Sequence, residues 1–491
     1  MTHSERKPFR IAVVGGGIAG LSAAYTLARA HGHGAPIEEA LFESQARLGG
    51  VIRTERVEGF VIEGGPDSFL AEKPEAAALC RELGLGDQLL GSNDSERRTY
   101  ILHRGRLVPL PDGLLLLVPT RLWPMVATPL LPLRSKLALA AEWFVSPPSA
   151  DSKPPDDESV ASFVQRHFGE AMVDNIVDPL LAGVYGGDCR QLSIQSVLPR
   201  FWEMERQYGS LTRATLRARR ERLRAAKEAR KSGDSARHPP LPLFMTLKGG
   251  LDQMVSALAQ RLENSQVQLG ARASSLELPP SPGKAYRIRF EKGSSHEAEA
   301  IVLAMPAHEC AKLLSPLSSS LATRLGEIPY SSSMTVSLAY ERGTREKLPS
   351  GFGFLSPRKE NPRLMACTFV HGKFNYRAPE EKALVRCFLG GSADPEVLSL
   401  SDEEVVALVR RELQAILNFN AAPLFYRVHR WPSSMAQYVV GHAGRVRAIE
   451  AELEKLPGLF LAGNAYSGIG ISDCVRTGRA AAERALELAR A

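Results

Sequence analysis

The feature that most constrains this chain is an abrupt change of pattern near its start. Phe9, Ile11, Val13 and Val14 make a short apolar run that breaks off at Gly15-Gly16-Gly17-Ile18-Ala19-Gly20. A helical pattern follows from Leu21 to about Arg29, and a second apolar run, Ile37 to Phe42, ends at Glu43. Strand, Gly-x-Gly-x-x-Gly turn, helix, strand and acid, in that order, predict a βαβ unit built around a dinucleotide. Gly15 permits the tight turn, Gly17 lets backbone approach a pyrophosphate, and Gly20 lets helix and strand pack closely. The helix start offers unpaired N–H groups and a positive dipole end to phosphate. Glu43 stands 23 positions beyond Gly20, close to the ~20 at which a carboxylate can grip a ribose diol.

Past the acid, Glu43-Ser44-Gln45-Ala46-Arg47-Leu48-Gly49-Gly50 sets an arginine that can reach phosphate, then a glycine pair that lets the chain run tightly along a ligand. This segment resembles that of a flavoprotein family that includes amine oxidases, phytoene desaturases and protoporphyrinogen oxidases, where Glu-x-x-x-Arg-x-Gly-Gly marks FAD rather than NAD. No covalent attachment motif is apparent, so the FAD is expected to be non-covalent. A strand at Phe60 to Glu63 then enters Gly64-Gly65-Pro66-Asp67-Ser68, a turn suited to backbone passing a flat ring. The resemblance places Gly65 to Ser68, Ala273 and Trp431 at the cofactor as well.

At 491 residues, 44% hydrophobic and 23% charged, the chain is globular and long enough for about three domains. Its +7 balance suits an anionic substrate or an anionic membrane surface and is too diffuse for a nucleic-acid binder. Six scattered cysteines without a Cys-x-x-Cys pair read as reduced thiols of a cytoplasmic-type compartment. No stretch reaches the ~18 apolar residues of a spanning helix.

Leu107 to Leu133 is Leu-rich and broken by six prolines, so no single element can span it. With Trp123, Met125, Trp143 and Phe144 it fits either the core of a helical domain or a greasy surface resting on the cytoplasmic membrane. Ser146 to Pro155 reads as a linker and Glu158 to Phe168 as a helix. Arg206 to Arg237 reads as a basic, solvated insertion with a thin apolar edge, leaving at Ser232 to Pro242; contact with anionic lipid is the other reading. Strand-rich segments between Ser331 and Arg430 surround a helix from Asp402 to Leu417. The expected fold is α/β and α+β: a Rossmann-like FAD-binding domain in three pieces, 1–92, 241–310 and 433–491. A helical, membrane-associated domain is expected at 93–240, with a basic insertion at 206–240, and a mixed-sheet substrate domain at 311–432.

Two further segments narrow the resemblance to the protoporphyrinogen oxidases. One is Ala182-Gly183-Val184-Tyr185-Gly186-Gly187-Asp188, similar to the stretch that faces the tetrapyrrole. The other is Gly463-Asn464-Ala465-Tyr466-Ser467-Gly468-Ile469-Gly470-Ile471-Ser472-Asp473-Cys474, which runs into a last helix. Asn464, Ile469, Gly470 and Ile471 are the expected cofactor contacts there, although many relatives carry an acid at the position of Asn464. The resemblance implies oxidation of protoporphyrinogen IX to protoporphyrin IX, in haem biosynthesis, with dioxygen taking the electrons. Coproporphyrinogen III as substrate, an amine oxidase or desaturase on the same scaffold, and a porphyrin-binding flavoprotein without turnover are the alternatives. Gly183 is expected to face the substrate and Arg98 to anchor a propionate, or to be a solvated surface arginine. No second glycine motif for NAD(P)H, no redox cysteine pair and no clustered metal ligands appear, so no metal is expected. The partners expected are the porphyrinogen, dioxygen, a peripheral membrane contact and a second copy in a homodimer, with no nucleic acid.

Overall fold

A computed structural model describes residues 7–115, 118–119, 122–146, 156–231, 241–278, 281 and 284–490. The linker expected at 146–155 and the exit from the basic segment at 232–242 fall almost wholly outside them. The chain forms two compact units, Met1–Ser92 with Leu243–Tyr330 and Ala443–Ala491, and Asn93–Pro242 with Ser331–His442.

The first unit is built on a five-stranded parallel sheet. Its strands are β1 (Phe9–Val14), β2 (Ile37–Glu43), β3 (Gln266–Leu269), β4 (Ala300–Leu303) and β5 (Leu459–Leu461), in the order β3-β2-β1-β4-β5. Val13 pairs with Leu41 on one side and Val302 on the other. β1 and β4 are fully buried from Ile11 and Ala300 onward because helices cover both faces, as an all-parallel sheet requires. Helix α1 (Ile18–Gly32) packs against the C-terminal helix Ile471–Arg490 so closely that a Cβ on Gly478 would sit 2.0 Å from the Ala19 carbonyl oxygen. The strand order reverses direction at β1, and ligands of open α/β sheets bind at that switch, beyond the carboxyl ends of the strands.

The second unit carries a seven-stranded mixed sheet. In spatial order its strands are Phe425–Ala436, Tyr330–Tyr340, Ala383–Gly390, Ala366–Phe369, Gly353–Leu355, Thr99–His103 and Arg106–Pro109. One face packs on the helix Asp402–Leu417, whose Val405, Val409 and Leu413 are buried and whose start is fixed by a Ser401–Glu404 capping box. Three expected divisions need correction. Strands from the 93–240 segment complete the sheet of the supposedly separate 311–432 domain, Tyr100 pairing in parallel with Phe354, so the two make one unit. Helices Ala307–Leu314 and Ser319–Gly326 belong with the first unit, and residues 433–442 with the second.

The basic segment also differs from expectation. Residue 206 lies inside the helix Pro199–Tyr208, and a new helix, Leu211–Lys231, follows it. Leu211, Thr212, Ala214 and Thr215 are buried, so this helix is packed at its start, while Arg217, Arg219, Arg220, Glu221 and Arg224 are exposed. Around the proline-broken stretch, short helices Leu122–Ala127 and Leu133–Glu142 bury Met125, Leu130, Leu131 and Leu139 on one side. On the other side Leu133 and Leu137 are exposed, as are Trp123 (77%) and Phe144 (79%). The stretch therefore has a buried face, as the core of a helical domain requires, and an exposed apolar face. No described helix is long and apolar enough to cross a membrane.

Candidate functional site

The turn after β1 is shaped by backbone contacts that leave no room for side chains. Gly15 has φ +110°, and a Cβ there would lie 2.5 Å from the Ala304 oxygen at the end of β4. A Cβ on Gly20 would lie 1.8 Å from the Gly15 oxygen. Gly17 is the opposite case. It precedes α1, and a Cβ there would meet nothing within 4 Å. The first ladder bond of α1 runs from Leu21 N–H to the Gly17 carbonyl, which leaves the N–H groups of Ile18, Ala19 and Gly20 outside the ladder. The open space at Gly17 is the cradle a pyrophosphate would need.

Glu43 is buried at the end of β2. Its Oε2 accepts the Gly16 N–H at 2.6 Å, and its Oε1 accepts the Gln45 N–H at 2.7 Å and the Ser44 hydroxyl at 3.1 Å. A carboxylate offers about four acceptor positions, so one remains for a ribose hydroxyl. Glu43 thus also shapes the glycine turn, a role the motif does not announce. Gly49 donates its N–H to the Gly16 oxygen at 2.8 Å, and a Cβ on Gly50 would sit 3.2 Å from the Gly17 Cα, so the glycine pair packs on the first turn. The Arg47 guanidinium donates to the carbonyls of Leu48 and Ile52 at 3.1 Å each and to that of Gly50, so it braces its own loop. Burial, with Arg53 nearby, lowers its pKa.

Three more segments of this unit were expected at the cofactor. Gly65 is buried, Ser68 donates to the Asp67 carboxylate at 2.6 Å, and the Thr246 hydroxyl holds the Asp67 carbonyl at 2.9 Å; Pro66 sits between them. Ala273 follows Gly270 and Ala271, whose N–H groups donate to the carbonyls of Gln45 and Glu43 at 2.9 and 2.8 Å, so it is brought beside the acidic loop. The loop from Asn464 to Gly470, with Ile469 in it, is laced to the helix that begins at Ile471. Gly463 N–H meets the Thr477 hydroxyl, Arg476 meets the Ser467 carbonyl, and Gly470 N–H meets Asp473 Oδ2 at 3.1 Å. Gly463 has φ +120°, and a Cβ on it would meet nothing within 4 Å. Asp473 belongs to the motif read from sequence, but its partner Lys73, at 2.6 and 2.8 Å, was not singled out. A cleft of about 660 Å³ lined by Tyr25, Arg29, Pro36, Arg479 and Arg490 opens at the opposite end of α1 from the glycine turn, remote from these residues.

Gly183, Arg98 and Trp431 lie in the second unit. Gly183 is in the helix Asp178–Tyr185, directly after a wide π turn at Val173–Val177. Pro179 cannot donate to the ladder and its ring would crowd the carbonyl four residues back, which accounts for the widening. Gly183 is exposed, and a Cβ on it would meet only the Leu355 Cδ2, at 3.2 Å. Arg98 is exposed, its carbonyl accepting the Phe352 N–H at 2.7 Å. Both residues therefore border the same short strand, Gly353–Leu355, at its two ends. The Trp431 ring stacks with that of His429, centroids 6.3 Å apart. Among the described residues, Asp178, Asp188 and Cys189 stand close enough together to hold a metal. Arg358 already supplies the counter-charge, 3.2 Å from each carboxylate.

A second buried charge cluster went unforeseen. His167 places Nε2 3.1 Å from Glu205 and Nδ1 3.4 Å from Glu142. Glu142 in turn accepts from the Ser210 hydroxyl and the N–H groups of Leu211 and Thr212, starting the basic helix. Burial lowers the His167 pKa, but the bonds to Glu142 and Glu205 outweigh it and the net shift is upward.

A five-stranded parallel sheet with an open glycine turn and a buried acid at its switch point defines a dinucleotide-binding oxidoreductase scaffold. The profile of the family described as flavin containing amine oxidoreductase matches residues 18–486, and the chain belongs to that family. It is a flavin-dependent oxidoreductase, and its cofactor is FAD. The chain is 33% identical to "Coproporphyrinogen III oxidase" of Bacillus subtilis (strain 168), over 97% of each chain. It is 30% identical to "Protoporphyrinogen oxidase 1, chloroplastic" of Arabidopsis thaliana, over 94% of this chain and 85% of the other. A crystal structure from Exiguobacterium sp. 255-15, whose protoporphyrinogen oxidase name is itself provisional, aligns with TM-score 0.83 at 29% identity, covering 98% of this chain and 99% of that one.

Proposed function

We propose that the protein oxidises a porphyrinogen to the corresponding porphyrin, with coproporphyrinogen III ahead of protoporphyrinogen IX as substrate and dioxygen as acceptor. This reverses the order of substrates suggested by the sequence. The observation that carries the reading is the likeness to the Bacillus subtilis coproporphyrinogen III oxidase over 97% of both chains. The first unit holds the cofactor: Gly17 and the N–H groups of Ile18 to Gly20 receive the pyrophosphate, Glu43 takes a ribose hydroxyl, and the loops at Gly65–Ser68 and Asn464–Ile471 frame the ring. Bound FAD supplies a hydride acceptor that dioxygen can reoxidise. In the second unit, exposed Gly183 leaves room for a flat ring and Arg98 meets a propionate. Such a reaction needs positioning more than acid–base machinery, in keeping with the lack of an evident catalytic base among the proposed contacts.

The exposed stripe of Trp123, Leu133, Leu137 and Phe144, beside the basic helix, supports a peripheral contact with an anionic membrane surface. The deciding experiment supplies coproporphyrinogen III and protoporphyrinogen IX separately to the purified yellow protein in air, and follows porphyrin fluorescence and peroxide. Faster oxidation of coproporphyrinogen is the expected result, and preference for protoporphyrinogen restores the other order. Porphyrin binding without turnover points to a carrier. Oxidation of an amine with neither porphyrinogen touched overturns the reading.

A further inference from the structure

Outside the glycine turn, one ion pair joins two segments some 400 residues apart, and both lead to stretches assigned above to the cofactor. Lys73 lies just after the Gly65–Ser68 turn; Asp473 lies in the first turn of the C-terminal helix. Asp473 is almost wholly buried, 8% exposed at its side chain, and both of its oxygens accept from Lys73 Nζ, at 2.8 and 2.6 Å. Its Oδ2 also accepts the Gly470 N–H at 3.1 Å. The loop is closed over this carboxylate: Gly468 has φ +112°, and a Cβ on it would fall 2.2 Å from the Asp473 carboxyl carbon. Ser472 repeats the link, donating to the Lys73 carbonyl at 3.1 Å and accepting the Ala76 N–H at 3.4 Å.

We propose that Lys73 and Asp473 are positioning residues for FAD. Lys73 fixes the Asp473 carboxylate, the carboxylate fixes the Gly468–Ile471 turn, and the turn sets how tightly the flavin is held. The proposal rests on the assignment of that turn to the cofactor. With its lysine end 44% exposed, the charge pairing contributes little by itself. Here the same carboxylate also holds a backbone N–H of the loop, so loosening it moves the turn. Disturbing either partner should therefore register in cofactor affinity more than in fold stability.

The test uses the full chain, with Lys73→Met, Asp473→Asn, the double variant and Lys73→Arg. Each is stripped of flavin and titrated with FAD by fluorescence quenching, and the absorption bands of the bound flavin and the apoprotein melting temperature are recorded. Each single change should weaken FAD about tenfold and shift the flavin bands. The double variant should be no weaker than the worse single one, because the two act through one linkage. Lys73→Arg should restore most of the affinity. Wild-type affinity and bands in both single variants overturn the proposal, as does a double variant whose loss is the product of the two singles. A loss of affinity that tracks a fall in apoprotein melting temperature, with no shift in the bands, overturns it too. If Asp473→Asn does not fold, Lys73→Met, at the exposed end of the pair, decides alone. A wild-type chain that takes up no FAD sinks the cofactor assignment itself, an outcome distinct from all of these.

Discussion

The glycines at 15–20 and Gly183 look alike in sequence, small residues each beside an apolar element, yet they stand in the fold quite differently. At Gly15 and Gly20 an added methyl group would strike backbone oxygen, so these glycines hold two strands and a helix together. At Gly183 the neighbour is one flexible leucine tip, so that glycine leaves space and ties nothing. Gly17, inside the first cluster, behaves like Gly183. A glycine required by packing and a glycine that leaves open space can thus sit three positions apart.

Variants at these positions sharpen the contrast. Gly20→Val should have the largest effect, because its branched side chain must displace the Gly15 carbonyl. A loss of at least about 3 kcal/mol, read as insoluble or denaturant-sensitive protein without flavin, is expected. Native-like stability would break the distinction. Gly17→Val should fold normally, within about 1 kcal/mol of the parent in urea unfolding of the apoprotein, while FAD affinity falls by roughly a hundredfold or more. Full flavin content in that variant would remove the pyrophosphate from this turn.

Gly183→Leu should keep its flavin and melting temperature and lose at least about tenfold in kcat/KM for a porphyrinogen. Unchanged turnover of both porphyrinogens would move the macrocycle elsewhere.

The pH-dependent effect concerns charge, which organises the second unit where glycine organises the first. The raised His167 pKa means that its stabilisation is complete below about pH 6.5 and fades as pH rises through the folded value. Glu205, lowered to about 2, works the other way, its share being lost only as pH falls toward that value. His167→Gln should therefore cost about 3 kcal/mol near pH 6 and much less at alkaline pH. All four tryptophans lie in the second unit, so urea unfolding followed by their fluorescence reads this unit alone. A cost equal at both pH values would mean that the proton on His167 is irrelevant.

What the sequence made legible follows from how local the causes are. β1, α1 and β2 appear where the apolar runs and glycines put them, because a turn that needs positive φ writes its glycine at the turn itself. The helix Asp402–Leu417 was equally plain, since its capping residues and apolar periodicity lie within its own span. The parallel pairing of Thr99–His103 with Gly353–Leu355 was not, because a strand pattern carries no address for a partner some 250 residues away. Lys73 with Asp473, and His167 between Glu142 and Glu205, were hidden for the same reason: each residue alone reads as an ordinary polar side chain. Arg47 shows the converse. Its motif suggested a phosphate, while the nearest acceptors proved to be the carbonyls of its own loop.

The strand order β3-β2-β1-β4-β5 sets a schedule for biosynthesis. β1 leaves the ribosome first, but its neighbour β4 is made almost 300 residues later, and β5 with the final helix comes last of all. α1 exists for most of translation without the helix that packs against it, and the Gly15 turn waits for the Ala304 carbonyl that closes over it. The second unit has no such wait for its final strand, Phe425–Ala436, which is complete before β5 is made. A ribosome stalled before residue 459 therefore displays a β4 edge that β5 has not yet covered.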